Sequence, residues 1–419
     1  MSAPDVLVYI DLNGQAHLTG TLWVRTNRRG QTTATFQYAD SWLEHPLRFA
    51  VDPHLDPATG ATFHKDRLFG AIADSAPDRW GRTLIAREER RRARADGRTP
   101  RTLTDIDYLL AVADLTRQGA FRFARSEGAG FLATADQAAI PPMVELPRLM
   151  VAAQGFLDDP DSEEDLHVLL APGSSLGGAR PKASVLAPDG RLAIAKFPKS
   201  DDAYAVNTWE HLSRCLARDA GIRTAESSLL VIEGHDVLLT PRFDRAGEER
   251  IPFLSALSMV DAVDQEARSY LEIAEALQRV GSSTREDLRE LFRRVVFNVL
   301  VSNTDDHLRN HGFLYAGNGG WTLSPAYDLN PMPAELKPRF LSIAIGEDTD
   351  DTSASLAIAM GVAEYFDLEE QEARGIAFEV AAVTATWAER ARALGIAAAE
   401  IDLMRSAFEH EDLGIALSC

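Results

Sequence analysis

Two hydrophobic periods divide this chain. Residues 5–11, 18–26 and 31–37 alternate or run apolar around "NG" and "NRRG" turns, which is the pattern of an antiparallel meander. "LFGAIADSAPDRWGRTLIAREERRRARADGR" then takes up helical spacing, and residues 102–116 read as a further helix. The Gly- and Ala-rich text from 127 to 140, ending in "IPPM", reads as a connector. From 145 onward the order is helix, Gly-rich loop, strand, strand, helix, strand, strand. "KASVLAPDGRLAIAKFP" is a hairpin turning at "PDG", and "AYAVNTWEHLSRCLARDAGI" is a helix stopped by Gly221. "SSLLVIEG" and "DVLLTPRF" are two more strands, and beyond 265 the pattern is mostly helical. Ser283 with Glu286 has the spacing of a capping box, and Leu288, Leu291, Phe292, Val295, Val296, Val299 and Leu300 keep one helix face apolar. A β-rich half followed by a helical half predicts an α+β, two-lobed layout.

Composition narrows the class. At 419 residues the chain is too long for one typical core. Its 45% hydrophobic and 25% charged residues are those of an ordinary globular protein. A formal net charge of −20 argues against a general nucleic-acid coat or a polybasic membrane binder. The two cysteines, Cys215 and Cys419, are too few for a disulfide framework or a thiolate metal site, so a reducing cytoplasm fits best. The N-terminus has no basic leader pattern, and no apolar run approaches the length of a membrane span.

The chemistry concentrates in "SNTDDHLRNHGFLY", Ser302 to Tyr315, delivered by the 283–300 helix. Asp305 and Asn310 are spaced D-x-x-x-x-N. Phosphoryl transfer needs a carboxylate to orient a hydroxyl and take its proton, a carboxamide oxygen to hold Mg²⁺, and a second carboxylate on the metal. Asp305, Asn310 and Asp328 of "LSPAYDLNPMP" supply that set, and the hairpin "GFLYAGNGGWTLSP" folds Asp328 back beside Asn310. The plain alternative is a solvated loop in which Asp305 or Asp306 caps a turn. "GSSLGGARPKASV", residues 173–185, places Gly173, Gly177 and Gly178 where backbone N–H groups can approach phosphates, or simply forms a flexible turn. Lys196 ends an apolar strand in "RLAIAKFPK", either pointing its ammonium where the strand meets the next element or standing as an edge lysine with its head in water. Glu210, on the next helix, is placed to pair with Lys196. "LLTPRFDR", residues 238–245 with Thr240, Arg242 and Phe243, ends a strand where a hinge would meet adenine. These signals stand in the order a bilobal kinase requires, although the H-R-D and D-F-G triplets of ordinary protein kinases are missing.

"SSLGGARPK", "AKFP", "PRFDR", "NTDDHLRNHGF" and "LSPAYDLNP" resemble the HipA-type toxin kinases of bacterial toxin–antitoxin modules. "LFGAIADSAPDRWGR" resembles the N-terminal domain that precedes the kinase core in that family. The resemblance implies a protein-kinase-like fold in three parts: an N-terminal subdomain over 1–126, a kinase N-lobe over 141–245 and a helical C-lobe over 246–419. It implies ATP and Mg²⁺ as cofactors, Asp305 as catalytic aspartate, His307 as the loop's supporting histidine, and Asn310 and Asp328 as metal ligands. Lys196 would bind ATP, and Ser174, Ser175, Leu176, Gly177, Gly178, Ala179 and Arg180 would form the phosphate loop, with Ser175 the site of autophosphorylation that switches the enzyme off. The implied activity is serine/threonine phosphorylation of a protein such as an aminoacyl-tRNA synthetase. The implied partner is a HipB-like antitoxin, with operator DNA reached only through that complex. Two rivals remain on sequence: a small-molecule kinase of sugar or aminoglycoside type, and a non-catalytic corepressor. Intact Lys196, Asp305, Asn310 and Asp328 speak against the second.

Arg87, Arg90, Arg91, Arg92, Arg94, Arg98 and Arg101 stand out in an acidic chain. They read either as a solvated helix face balanced by Glu88 and Glu89 or as a patch facing nucleic-acid phosphates.

Overall fold

The computed structural model describes residues 5–26, 32–65, 67–133, 140–159, 162–173 and 178–419. The chain divides into two compact units, one of residues 1–201 with 230–254, the other of residues 202–229 with 255–419.

The first unit opens with the expected meander. Strands β1 (Asp5–Leu12), β2 (Gln15–Thr26), β3 (Thr32–Tyr38), β4 (Ala61–Lys65) and β5 (Phe121–Ala124) form a sheet in the order β4-β3-β2-β1-β5. Asn13 and Gly14, both at positive φ, close the first hairpin with Leu12 opposite Gln15, the two-residue turn that suits strand twist. The "NRRG" turn lies outside the described residues. The helix expected over 102–116 is shorter, Asp105–Ala111 followed by a 3₁₀ turn at Asp114–Thr116.

A second sheet has the order β6-β7-β9-β8, from β6 (Lys182–Leu186), β7 (Leu192–Lys196), β8 (Ser228–Ile232) and β9 (His235–Pro241). Its inner face, with Ala183, Val185, Ala193, Ala195, Val237 and Leu239, is covered by helices Leu146–Asp158 and Glu163–Gly173. Trp80, from the helix Arg79–Ala95, enters the same core and donates its indole N–H to the Lys182 carbonyl at 3.0 Å. That indole is one of the contacts that join residues before and after the 127–140 connector in one compact unit.

The arginine-rich helix is organised around two buried acids. Glu88 accepts from Arg91 and Arg92, and Glu89 from Arg98 and the Arg101 N–H. Four of the seven arginines are thus tied to the glutamates that the balanced-face reading names.

In the second unit the helix Thr284–Leu300 is central. Leu288, Leu291, Phe292, Val295, Val296, Val299 and Leu300 are all buried, as expected. The expected capping box is absent there: Ser283 is the N-cap residue, but its side chain makes no capping bond. Thr284 instead donates to the carbonyls of Leu277 and Gly281, anchoring the start of the helix to the one before it. A true capping box sits on that earlier helix, Tyr270–Val280, between Ser269 and Glu272. The helix Val206–Asp219 belongs to this unit as well. Its Trp209 packs on Trp387 and Phe408, and Glu400 accepts from Ala205 N and the Trp209 indole at 3.1 Å each. This packing takes residues 202–229 out of the 141–245 segment that sequence treats as one lobe. No described helix is long and apolar enough to cross a membrane.

Candidate active site

The site in the second unit is built from a second stripe on the helix Thr284–Leu300. Asp287, Glu290, Arg294 and Asn298 follow at helical spacing and are all buried. Arg294 pairs with Glu290 and donates to the Ser324 carbonyl at 2.8 Å, while Asp287 accepts from Thr322 and the Leu323 N–H. These bonds fix the hairpin Gly312–Gly317/Gly320–Leu323 against the helix. Asn298 ends the stripe and donates to Asp306 Oδ2 at 2.9 Å.

The two adjacent acids differ completely. Asp306 is 2% exposed, and its Oδ2 is met by the Tyr270 hydroxyl, by Asn298 and by His311 Nε2 at 2.7 Å. Burial pushes the Asp306 carboxyl up, but the His311 imidazole and the bonds from His311 and Tyr270 outweigh it and hold the group below the usual aspartate range. Burial, followed by the Asp306 charge and hydrogen bond, holds the Tyr270 phenol well above its ordinary value, so it stays a donor. Asp306 is therefore an anchor. Asp305 has a side chain 69% exposed, directed to solvent from a loop that its neighbour holds still.

Asn310 closes the 3₁₀ turn Leu308–Asn310, its N–H bonded to the His307 carbonyl at 2.8 Å. Its side-chain nitrogen donates to the Asp305 carbonyl at 3.2 Å, which turns the carboxamide oxygen the other way. Asp328 is pinned from both sides. The Tyr327 hydroxyl donates to the Arg309 carbonyl at 2.7 Å, and Asn330 N donates to Asn303 Oδ1 at 3.3 Å. Asp328 itself has φ +55°, an uncommon conformation for a residue with a side chain. The structure thus brings Asp305, Asn310 and the Asp328 segment around one loop. His307 is exposed, and the buried imidazole supporting the loop is that of His311. Sequence reasoning passed over Asn298, Tyr270 and His311. The i, i+3, i+7, i+11 polar stripe from Asp287 to Asn298 was the available signal for the first.

In the first unit, Ser174, Ser175, Leu176 and Gly177 lie outside the described residues. Gly178 follows them at φ +84°, where a Cβ would come within 2.5 Å of Lys182 Nζ, so only glycine allows that ammonium so near the chain. Ala179 is exposed and Arg180 half-buried. Lys182 and Lys196 face each other across β6 and β7, so both side chains leave the same face of the sheet. Thr240 is buried opposite Ile194 in the β7–β9 ladder, and Phe243 packs near Phe253. Arg242 is committed elsewhere. Its N–H bonds the Leu192 carbonyl, and its guanidinium holds Asp244 and the Thr116 carbonyl. Glu210, in the second unit, is buried and accepts from Arg214 one turn on, at 2.8 Å. Among the described residues no group of three His, Cys, Asp or Glu side chains could hold a metal. A phosphate-bridged Mg²⁺ needs fewer, since it keeps waters and phosphate oxygens as ligands.

A family model of the HipA-like C-terminal domain matches residues 174–387, and one of the HipA N-terminal domain matches residues 11–103. The chain is 24% identical over 200 residues to a Haemophilus influenzae protein named "Putative kinase", covering 41% of this chain and 58% of that protein. It is 26% identical over 203 residues to "Putative kinase Y4mE" of Sinorhizobium fredii, covering 41% of this chain and 46% of that one. It therefore spans about half the length of the curated relatives it matches. Among solved structures it is similar to HipA in the Shewanella oneidensis complex of HipA, HipB and operator DNA. The TM-score is 0.64 at 14% identity, covering 99% of this chain and 94% of that chain. At that identity the likeness shows the fold, which is the α+β, bilobal kinase-like one expected from sequence.

Proposed function

Because this chain belongs to the HipA family, we propose that it is an ATP-dependent serine/threonine protein kinase, the toxin of a HipBA-like module. The observation that carries the reading is the division of labour between the paired acids. Asp306 is buried and bonded on Oδ2 by three side chains, and Asp305 is presented to solvent five residues before Asn310. A proton acceptor for a substrate hydroxyl has to be reachable and has to sit on a loop that does not move. Asp305 meets the first requirement because Asp306 meets the second.

In this reading Asp305 takes the proton of the acceptor hydroxyl as its oxygen attacks the γ-phosphorus of ATP. Asn310 and Asp328 would hold Mg²⁺, which neutralises phosphate charge when bound. The carboxamide oxygen fits that role because its nitrogen is turned to the Asp305 carbonyl. Lys196, beside Lys182, and residues 174–180 would receive the phosphates. Thr240, Phe243 and the Arg242 carbonyl would line the adenine side. The substrate would be a translation component such as an aminoacyl-tRNA synthetase. The partner would be a HipB-like antitoxin through which operator DNA is reached, and Ser175 would be the autophosphorylation site.

Incubation with γ-labelled ATP and a cell lysate tests the reading. Asp305→Asn is expected to lose transfer by a factor of about a thousand or more while keeping nucleotide affinity, whereas Asp328→Ala weakens Mg²⁺-dependent ATP binding. Equal transfer by the intact chain and Asp305→Asn would overturn it.

A further inference from the structure

We propose that Lys337 is a catalytic residue of this site, its ammonium touching the phosphoryl group in transit between ATP and the acceptor hydroxyl. The inference rests on Asp305 being the group that takes the hydroxyl proton. It starts from the chain between Asn330 and Ser342, which is laid along residues 299–304 by one hydrogen bond after another. Asn330 N donates to Asn303 Oδ1, and Met332 N to the Ser302 carbonyl at 3.1 Å. Arg339 donates to the Val299 carbonyl and to Ser302 Oγ at 3.0 Å each, and Ser342 Oγ to the Thr304 carbonyl at 3.1 Å. Lys337 Nζ donates to that same Thr304 carbonyl at 2.9 Å and stands 3.9 Å from Asp305 Oδ1.

Thr304 is fully buried, so the carbonyl that holds the ammonium belongs to the rigid part of the loop. As a fastener the lysine is redundant beside Arg339 and Ser342. What it adds is a full positive charge within 4 Å of the proton acceptor, on the side open to solvent. An ammonium has three donors, and Thr304 uses one.

During transfer the acceptor O–H gives its proton to Asp305, and its oxygen bonds the γ-phosphorus. The bond from that phosphorus to the bridging oxygen breaks, and its electron pair leaves on ADP. Charge on the equatorial phosphoryl oxygens is then close to a cation held in place by the Thr304 carbonyl. Such a group acts on the transition state more than on bound ATP, so its removal lowers kcat and leaves ATP affinity in place.

The full-length chain, γ-labelled ATP and single-turnover kinetics of label release or self-labelling provide the test, with ATP affinity and melting temperature measured alongside. Lys337→Met is expected to slow turnover roughly a hundredfold with ATP affinity within about twofold, and Lys337→Arg to recover most of the rate because it keeps the charge. If Lys337→Met turns over within about threefold of the unaltered chain while Asp305→Asn is inactive, the lysine assignment is overturned and the Asp305 reading stands. If the loss appears as weakened ATP binding, or as a lowered melting temperature that Lys337→Arg restores without restoring rate, the assignment is equally overturned. Undiminished turnover by Asp305→Asn would instead sink the underlying reading.

Discussion

At the scale of the residue, identical neighbours lie in opposite surroundings, one buried and bonded, the other open to solvent. Asp305 and Asp306 cannot be told apart by type, and only the spacing to Asn310 favoured the first. Their surroundings tell them apart: Asp306 is buried by Tyr270, Asn298 and His311, which come from two helices and the far side of the loop. Sequence order alone cannot show that convergence. Stability should separate the two acids. Asp306→Ala leaves a buried imidazole, a phenol and an amide without their acceptor, so a loss of about 3 kcal/mol or more is expected, whereas Asp305→Ala should stay within roughly 0.5 kcal/mol. Denaturant midpoints of the two variants would measure this, and equal midpoints would refute the division of roles. Because the folded Asp306 carboxyl lies below its ordinary value, its contribution is complete above the ordinary aspartate range and disappears as pH falls through the lower folded value.

At the scale of the element, the apolar faces were the most legible part. The stripe Leu288 to Leu300 is buried throughout because a helix that long can hide one face only against a core. The Ser283 capping box was misplaced because any Ser-x-x-Glu satisfies the pattern. Which one forms depends on the neighbouring chain, here the carbonyls of Leu277 and Gly281 taking Thr284. The arginine-rich helix shows the same dependence, since its balance rests on glutamates that fold inward. The hydrogen bond from Arg98, with that from the Arg101 N–H, holds the Glu89 carboxyl down to about 2 from the usual 4.5. A depressed acid stabilises the fold above its unfolded value and stops doing so below its folded one. Glu89 should therefore add stability as pH rises from about 2 to about 4.5, and nothing further beyond. Urea midpoints of the unaltered chain and Glu89→Gln should diverge across that interval and run parallel above pH 5. Parallel curves throughout would show that Arg98 contributes no net stability to the fold through Glu89.

At the scale of the whole molecule, sequence reads as three successive segments, and the compact units cut across them. Linear patterning finds strands and helices but not which core each one enters. Trp80 enters the core under β6 and β7 and joins residues on either side of the 127–140 connector. Trp209 enters the core of Trp387 and Phe408, and Glu400 caps its helix, so residues 202–229 belong with the C-terminal part. Both tryptophans were visible in the sequence, yet a helical tryptophan says only that a large face is to be buried, not against what. Cooperative unfolding units follow packing rather than chain order, which leads to a prediction about dynamics. Trp387 is buried and stacks face to face with Phe408. Trp387→Ala removes an aromatic pair and leaves a cavity, at a cost of about 3–5 kcal/mol by analogy with other core tryptophans. That loss should appear as faster amide exchange in the helix Val206–Asp219 and the helix Ala398–Phe408. The ladder of β6, β7 and β9 should keep its protection, although the helix Val206–Asp219 lies between β7 and β9 in sequence. Exchange that rises together in the helix and in the flanking strands would mean that chain order, not the tryptophan core, sets the unit in which residues 202–229 unfold.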